Sequence, residues 1–565
     1  MQRTMLWAVA ALMLLGTAAV GATYVVDNQH PKASDENPGT EAGPWKTVQH
    51  AADTAQAGDT VYVMEGVYDE LVALKNPGRP DAKITFRGMP QHSAQIKGVQ
   101  TGKAAYVRIE GFRFVDRGVT VSSDHVEVVG NYFHKVRYQA VAGTATGTYV
   151  AYNRAWTPSA GFGASGANWV VVGNEVERMI HTTVECDYGR FFGRGHVFRR
   201  NYFHGTAQAE VAKSHVDGFQ TWHLKGRGEK SHDMTFEDNV VYNFHQGIIA
   251  RATEEGDWLG RFTIRRNIFV HGLLPNEKGA AVGLIFQNVP GIVVEHNLIG
   301  DVQWFGFSPS GTTSGHLRNN IVYKCGAWDR GSRPKGLAVD HNISLAAETK
   351  LPAGSYIAKD PMFVDPAKDN WRLREGSPAI GAGTGGSTIG PLAWPNVYVV
   401  DARHPGASDE GFGYSGRPFR TLAHAAEVAR KGETIIVHGG VYRELVAPKD
   451  EGVTIRAAAD NGVVEQVVVS GADLVAGWKR EADGWSAPLA AKPVKLLRDG
   501  KVWTEFDYNA AARRITIKSG GDPRLHAFET VVRKHAVDLT GKSKVKVEGI
   551  QTANTLAEPV IPEGR

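Results

Sequence analysis

The segment Lys213-Ser-His-Val-Asp-Gly-Phe-Gln-Thr-Trp-His223 brings together an acid, two imidazoles, an amine, an amide and an indole. Such a set can move a proton and grip a polar ring. Read as a strand, it puts Phe219 and Thr221 on one face and Gln220 and Trp222 on the other, with Asp217 beside a glycine at the start. Trp222 then offers an aromatic platform, Gln220 hydrogen-bonding capacity and Asp217 a titratable proton, while Lys213, His215 and His223 stand within reach. The plainer alternative makes Asp217-Gly218 a turn and Trp222 a cover for core.

The elements that would hold these residues are read from a repeat. A run of alternating apolar residues ends in Asn at 131, 153, 174, 201, 239, 267, 297, 320 and 342, and each Asn opens another short apolar strand, as in Asn201-Tyr-Phe-His and Asn267-Ile-Phe-Val. The intervals are 22, 21, 27, 38, 28, 30, 23 and 22 residues. Asn tolerates the left-handed backbone of a tight bend, and its amide can bond to the coils above and below. These features predict an all-β solenoid of parallel strands with about 22 residues in a bare coil, and the longest insertion, 205 to 214, leads into Asp217. The pattern resembles the right-handed parallel β-helix of the pectate-lyase-like superfamily of secreted glycoside hydrolases and polysaccharide lyases; the handedness is implied by that resemblance.

Aligning Thr183-Val-Glu-Cys-Asp187, Gly218-Phe-Gln-Thr-Trp222, Gly247-Ile-Ile-Ala-Arg251 and Gly283-Leu-Ile-Phe-Gln287 stacks Val184, Phe219, Ile248 and Leu284 inward. One outward row then reads Glu185, Gln220, Ile249, Ile285, and the next Asp187, Trp222, Arg251, Gln287. With coils about 4.8 Å apart, this is a compact patch of carboxylates, an arginine and an aromatic ring, suited to a polysaccharide or oligosaccharide. In a glycoside hydrolase, Asp217 with Asp187 or Glu185 would be the acid and base, Trp222, Gln220 and Gln287 would bind sugar, and no cofactor is required. His215-Val-Asp-Gly-Phe-Gln220 resembles the Asn-Thr-Asp-Gly-x-Asp segment of polygalacturonase-type hydrolases, which implies Asp217 as acid. Gln220 replaces the second Asp, and His245-Gln246-Gly247 stands where that family has paired Asp. In a polysaccharide lyase, Arg251 or Lys213 would take the proton beside a uronate carboxylate, with Glu185 and Asp187 as oxygen ligands for Ca²⁺. A non-catalytic glycan binder is the third reading. For His204, His215, His223 and His245 a hydrogen-bonded structural role is favoured, and a zinc site is not expected without Cys neighbours.

Arg3, the short apolar run Leu6 to Leu15 and Val20-Gly21-Ala22 read as a signal peptide over 1–22, so the expected location is secreted, extracellular or periplasmic. No second run of membrane-spanning length follows. With +4 net charge on 565 residues and no basic run interleaved with aromatics, no nucleic-acid or membrane partner is expected, and a monomer is. The 65 glycines suit a turn-rich β chain, and Cys186 and Cys325 are expected to stay unbonded, about five coils apart. Pro44 to Ala55 has helical spacing and reads as an N-terminal cap helix. The β-helix domain is placed at 23–390 and is expected to fold alone, with a linker at 391–397. A second, smaller β-rich module at 398–565 repeats residues 24–72 at a constant offset of 374.

Overall fold

The computed structural model describes residues 21–180, 186–207, 209–211, 215–253, 256–271, 282–330, 334–352, 354–460 and 462–557. The expected signal peptide lies outside them but for Gly21 and Ala22, as do Val184, Glu185 and Lys213.

Residues 23–357 form one continuous ladder of 37 strands, almost all paired in parallel with the strand one coil on: a parallel β-helix. Three strands make a coil. In one coil they are Glu127–Val129, Tyr132–His134 and Gln139–Thr146, and the next coil pairs Tyr149–Ala151, Arg154–Trp156 and Ala160–Ala167 with them. The nine expected asparagines stand at the corner between the first and second strands, all fully buried. Asn239 is typical. Its Nδ2 donates to Asn267 Oδ1 (2.9 Å) and Phe198 O (2.9 Å), while its Oδ1 accepts from the backbone N (3.0 Å) and Nδ2 (2.9 Å) of Asn201. One expectation is corrected: the left-handed residue is not the ladder Asn but the one before it, as at Gly130, Tyr152, Arg200, His296 and His341. The turn is made one position early, which swings the Asn side chain inward, where only another amide satisfies it. Asn239→Ala is expected to leave two Asn201 donors and one carbonyl buried without partners, at roughly 1–3 kcal/mol each. Urea unfolding should show this as a lowered midpoint.

The second strand of four successive later coils is apolar on both sides, as in Val240-Val-Tyr242 and Ile268-Phe-Val270, so its outer face also needs a cover. Phe363, Trp371, Leu373, Ala379, Ile389 and Tyr414 supply it, packing on Tyr202, Tyr242, Ile268, Leu298 and Ile321. Within this layer the buried Arg372 donates to Phe412 O (2.7 Å) and Val397 O (3.3 Å) and lies 4.1 Å from the Tyr398 ring centroid. A chain ending at 390 would strip Arg372 of those acceptors and remove Tyr414 from the layer. That counts against independent folding of 23–390. Such a chain is expected to bind a hydrophobic dye and to melt below the full-length protein.

The 374-residue repeat extends to individual bonds. Helices Val48–Thr54 and Leu422–Val428 are capped by Thr47 and Thr421, whose hydroxyls donate to Asp35 and Asp409, and their first amides reach Glu70 and Glu444. Carboxylates at a helix N-terminus satisfy amides that lack intrahelical partners. The second copy packs against the flank of the first solenoid: His404 Nε2 meets Arg200 O at 2.9 Å, and Arg199 donates to both oxygens of Asp460 (3.1 and 2.7 Å). Cys186 and Cys325 are both buried and are not joined in a disulfide.

Candidate active-site groove

The third strands of successive coils carry the residues singled out from the sequence. Their register runs Thr120, Ala142, Gly163, Arg190, Gln220, Ile249, Ile285 across seven coils, with Trp222, Arg251 and Gln287 in the parallel row. The stacking of Phe219, Ile248 and Leu284, and of both outward rows, is as expected over these last three coils. One coil earlier it is not. Gly189 pairs with Phe219 and Arg190 with Gln220, so 183–187 does not supply that strand. Thr183-Val-Glu-Cys-Asp187 and Gly189-Arg-Phe-Phe192 both alternate, and the fold takes the register that buries Phe191 completely. Asp187 therefore stands level with Asp217, not beside Trp222; the Tyr188 amide donates to Asp217 O at 2.9 Å.

Small side chains at Ala142, Gly143, Gly163 and Ser165 hollow one end of this face into a cavity of about 550 Å³, walled by Arg117, Tyr138, Gln139, Arg190 and Phe192. A second cavity of about 890 Å³ is lined by His215, Gln220, Trp222, Lys225, Arg227 and Arg251. Between them the Arg190 guanidinium lies 5.0 Å from the Trp222 ring centroid, and the Phe192 ring meets Trp222 edge-on at 4.8 Å. Lys225 and Arg227 belong to a short hairpin, with His223 opposite Gly228, that raises a lip on the second cavity. Arg251 donates to Gln287 Oε1 (3.0 Å) on the next coil. His223 is turned away, buried and stacked on Trp258 with 3.5 Å between ring centroids. His204 lies on another strand, 3.0 Å from Glu175.

Beneath the second cavity lies a polar centre. Asp217 is fully buried, not exposed on the groove; its Oδ2 takes a hydrogen bond from Gln220 Nε2 (3.2 Å) and stands 3.1 Å from His215 Nδ1, and its Oδ1 is 3.8 Å from His245 Nδ1. The hydrogen bond to Asp217 raises the pKa of His215 above the ordinary imidazole value, against the opposing effect of burial. Gln246, paired with Asp217 across the coils, brings Nε2 to 3.2 Å from His215 Nε2 and 3.4 Å from His245 Nδ1. Gly218 is not a turn residue. It lies in the strand, where a Cβ would come 2.3 Å from Gly247 O, so only glycine lets the coils close up beside Asp217. Asp187 is buried and ion-paired with Arg190, whose Nε donates to Oδ2 at 2.9 Å. An arginine on that carboxylate competes with Ca²⁺, and Glu185, the other expected ligand, lies outside the described residues. Sequence reasoning gave no site role to Arg190, His245 or Gln246; the signal for the last two was their spacing of one coil from His215 and Asp217.

No family model matches the chain. The uncharacterized protein YwoF of Bacillus subtilis (strain 168) is 29% identical over 141 residues, a match covering 21% of this chain and 30% of that protein. The chain thus spans less than a third of the length of that curated relative. Among solved structures, pectate lyase Pel9A is similar at 14% identity over 66% of this chain and 97% of its own, with a TM-score of 0.41. The GH136 lacto-N-biosidase from Eubacterium ramulus gives 13%, 58%, 67% and 0.40, and the PL6 family alginate lyase AlyGC 14%, 74%, 67% and 0.39. Likeness at this level carries no argument about activity. Among the described residues no helix is long and apolar enough to cross a membrane.

Proposed function

We propose that the chain is a polysaccharide lyase that binds a uronate-containing glycan along the groove and breaks it by β-elimination. The observation that carries the reading is the sign of the charge. The described residues lining the two cavities include Arg117, Arg190, His215, Lys225, Arg227 and Arg251 and no carboxylate, while Asp187 and Asp217 are sealed beneath. A hydrolase working with two carboxyls needs both at the sugar, one on the leaving oxygen and one on the water or the anomeric carbon. Elimination needs instead an electrophile against the uronate carboxyl and an acceptor for the adjacent C5 proton. As that proton leaves, the C4–C5 double bond forms and the C4–O bond breaks, and the departing oxygen takes up a proton. In this reading Trp222 carries a sugar ring, Arg190 and Lys225 meet carboxylates, Arg251 as the neutral free base takes the C5 proton and returns it to the departing oxygen, and the centre around Asp217 faces the carboxyl of the sugar that reacts.

The test is a panel of neutral and acidic polysaccharides followed by ultraviolet absorbance and by reducing ends together. The expected result is absorbance from unsaturated uronate products on acidic glycans only. New reducing ends without absorbance would replace the reading by hydrolysis; binding with neither product would replace it by a non-catalytic glycan binder.

A further inference from the structure

From the geometry beneath Trp222 we infer that His215, Asp217 and His245 bind one divalent first-row transition-metal ion of the Mn²⁺, Co²⁺ or Zn²⁺ type. The donor atoms of the three side chains all lie within 4.8 Å of one another. At metal–ligand lengths near 2.1 Å, two donors on one ion stand roughly 3.0–3.4 Å apart. The His215 Nδ1 to Asp217 Oδ2 distance of 3.1 Å already has that value, and His245 Nδ1 to Asp217 Oδ1, at 3.8 Å, needs a closure of a few tenths of an ångström.

A hydrogen-bonded His215–Asp217 pair accounts for only part of the arrangement. Asp217 Oδ1 is buried with no hydrogen-bond partner among the described residues, and Gln246 Oε1, on a side chain more than nine-tenths buried, is in the same position. Buried polar oxygens are seldom left so. Two imidazoles with ring centroids 4.2 Å apart also converge on this one carboxylate. A cation coordinated by Asp217 and both rings satisfies Oδ1 and brings the imidazoles together as neutral ligands. The Gln246 amide, 3.2 Å from His215 Nε2 on the far side of that ring from Asp217, then orients His215 as an outer partner. Two nitrogens and one oxygen select a transition metal over Ca²⁺, which takes oxygen ligands, and three protein donors leave positions open toward the cavity that His215 lines. What the ion does rests on the lyase reading: it would be the electrophile that neutralises the uronate carboxyl and acidifies the adjacent C–H. The ion site itself stands on the geometry alone.

The experiment titrates the full-length chain, stripped with chelator, with Mn²⁺, Co²⁺ and Zn²⁺ by calorimetry, and records visible absorption of the Co²⁺ form. Expected are one ion per chain, ligand-field bands from mixed nitrogen and oxygen donors, and a melting temperature raised by the ion. His245→Gln and Asp217→Asn should each weaken binding at least tenfold and abolish the ion's effect on melting. Should Asp217→Asn fail to fold, His245→Gln, at a side chain less deeply buried than Asp217, carries the test. No stoichiometric binding of any of the three ions, or binding unchanged in folded His245→Gln, overturns the site. A stoichiometric ion in a protein that yields no unsaturated product overturns only the lyase reading, whereas full elimination by demonstrably metal-free protein overturns the ion's role there.

Discussion

Asp217→Asn is expected to lower cleavage by roughly three orders of magnitude, about 4 kcal/mol of transition-state stabilisation, while leaving the unfolding midpoint near that of the metal-free native chain. Asn has the shape of Asp and can keep one hydrogen bond to Gln220, so the coils around Gly218 need not move. What it lacks is the negative charge on which His215 and His245 converge. Both halves of the statement can be measured, turnover on the acidic glycan that the panel identifies and denaturant unfolding. Native turnover in the variant would make Asp217 a packing residue and remove the centre of the proposed site.

Arg251→Ala is the second large effect, an expected loss of roughly 10²–10⁴-fold in kcat, the range for removal of a proton-transferring group. The side chain is exposed and, among the described residues, it donates to Gln287 on the next coil, so stability is expected to change little. The partition of the loss separates the enzymatic readings. If Arg251 takes the proton, kcat falls; if the enzyme is a hydrolase and Arg251 only binds substrate, KM rises and kcat holds.

The ladder was legible in the sequence because nine successive coils, from Asn131 to Asn342, close their first corner with the same amide, so structural and sequence periods coincide. The left-handed position one residue earlier was not, because it is filled by Gly, Tyr, Arg, Asp, His and Asn alike, and its demand is on the backbone. The rows through Gln220, Trp222, Arg251 and Gln287 followed from alternation. That criterion failed one coil earlier, where two neighbouring segments alternate equally well and only the burial of Phe191 distinguishes them. Nor could the depth of Asp217 be read from its own strand. It depends on Asp187 and Gln246, which pairing places on either side, and on His215 and His245, which bend over it from separate coils. The cover over the second strands was implicit in sequences such as Ile268-Phe-Val270, apolar on both faces, though nothing local says which segment supplies it.

Because each coil repeats the closing bonds of the one before, the solenoid measures length in whole units. Asn131 and Asn153 are 22 residues apart, and removing 132–153 would join Asn131 to Arg154 and set its amide against that of Asn174 in the same geometry. The groove would shorten by one strand spacing, about 4.8 Å, losing the floor at Ala142 and the Tyr138 wall while the coils carrying Asp217, Trp222 and Arg251 kept their register. The span of ligand this protein can hold is therefore an integer quantity, open to change by gain or loss of a single coil without any alteration to the chemistry farther along the axis.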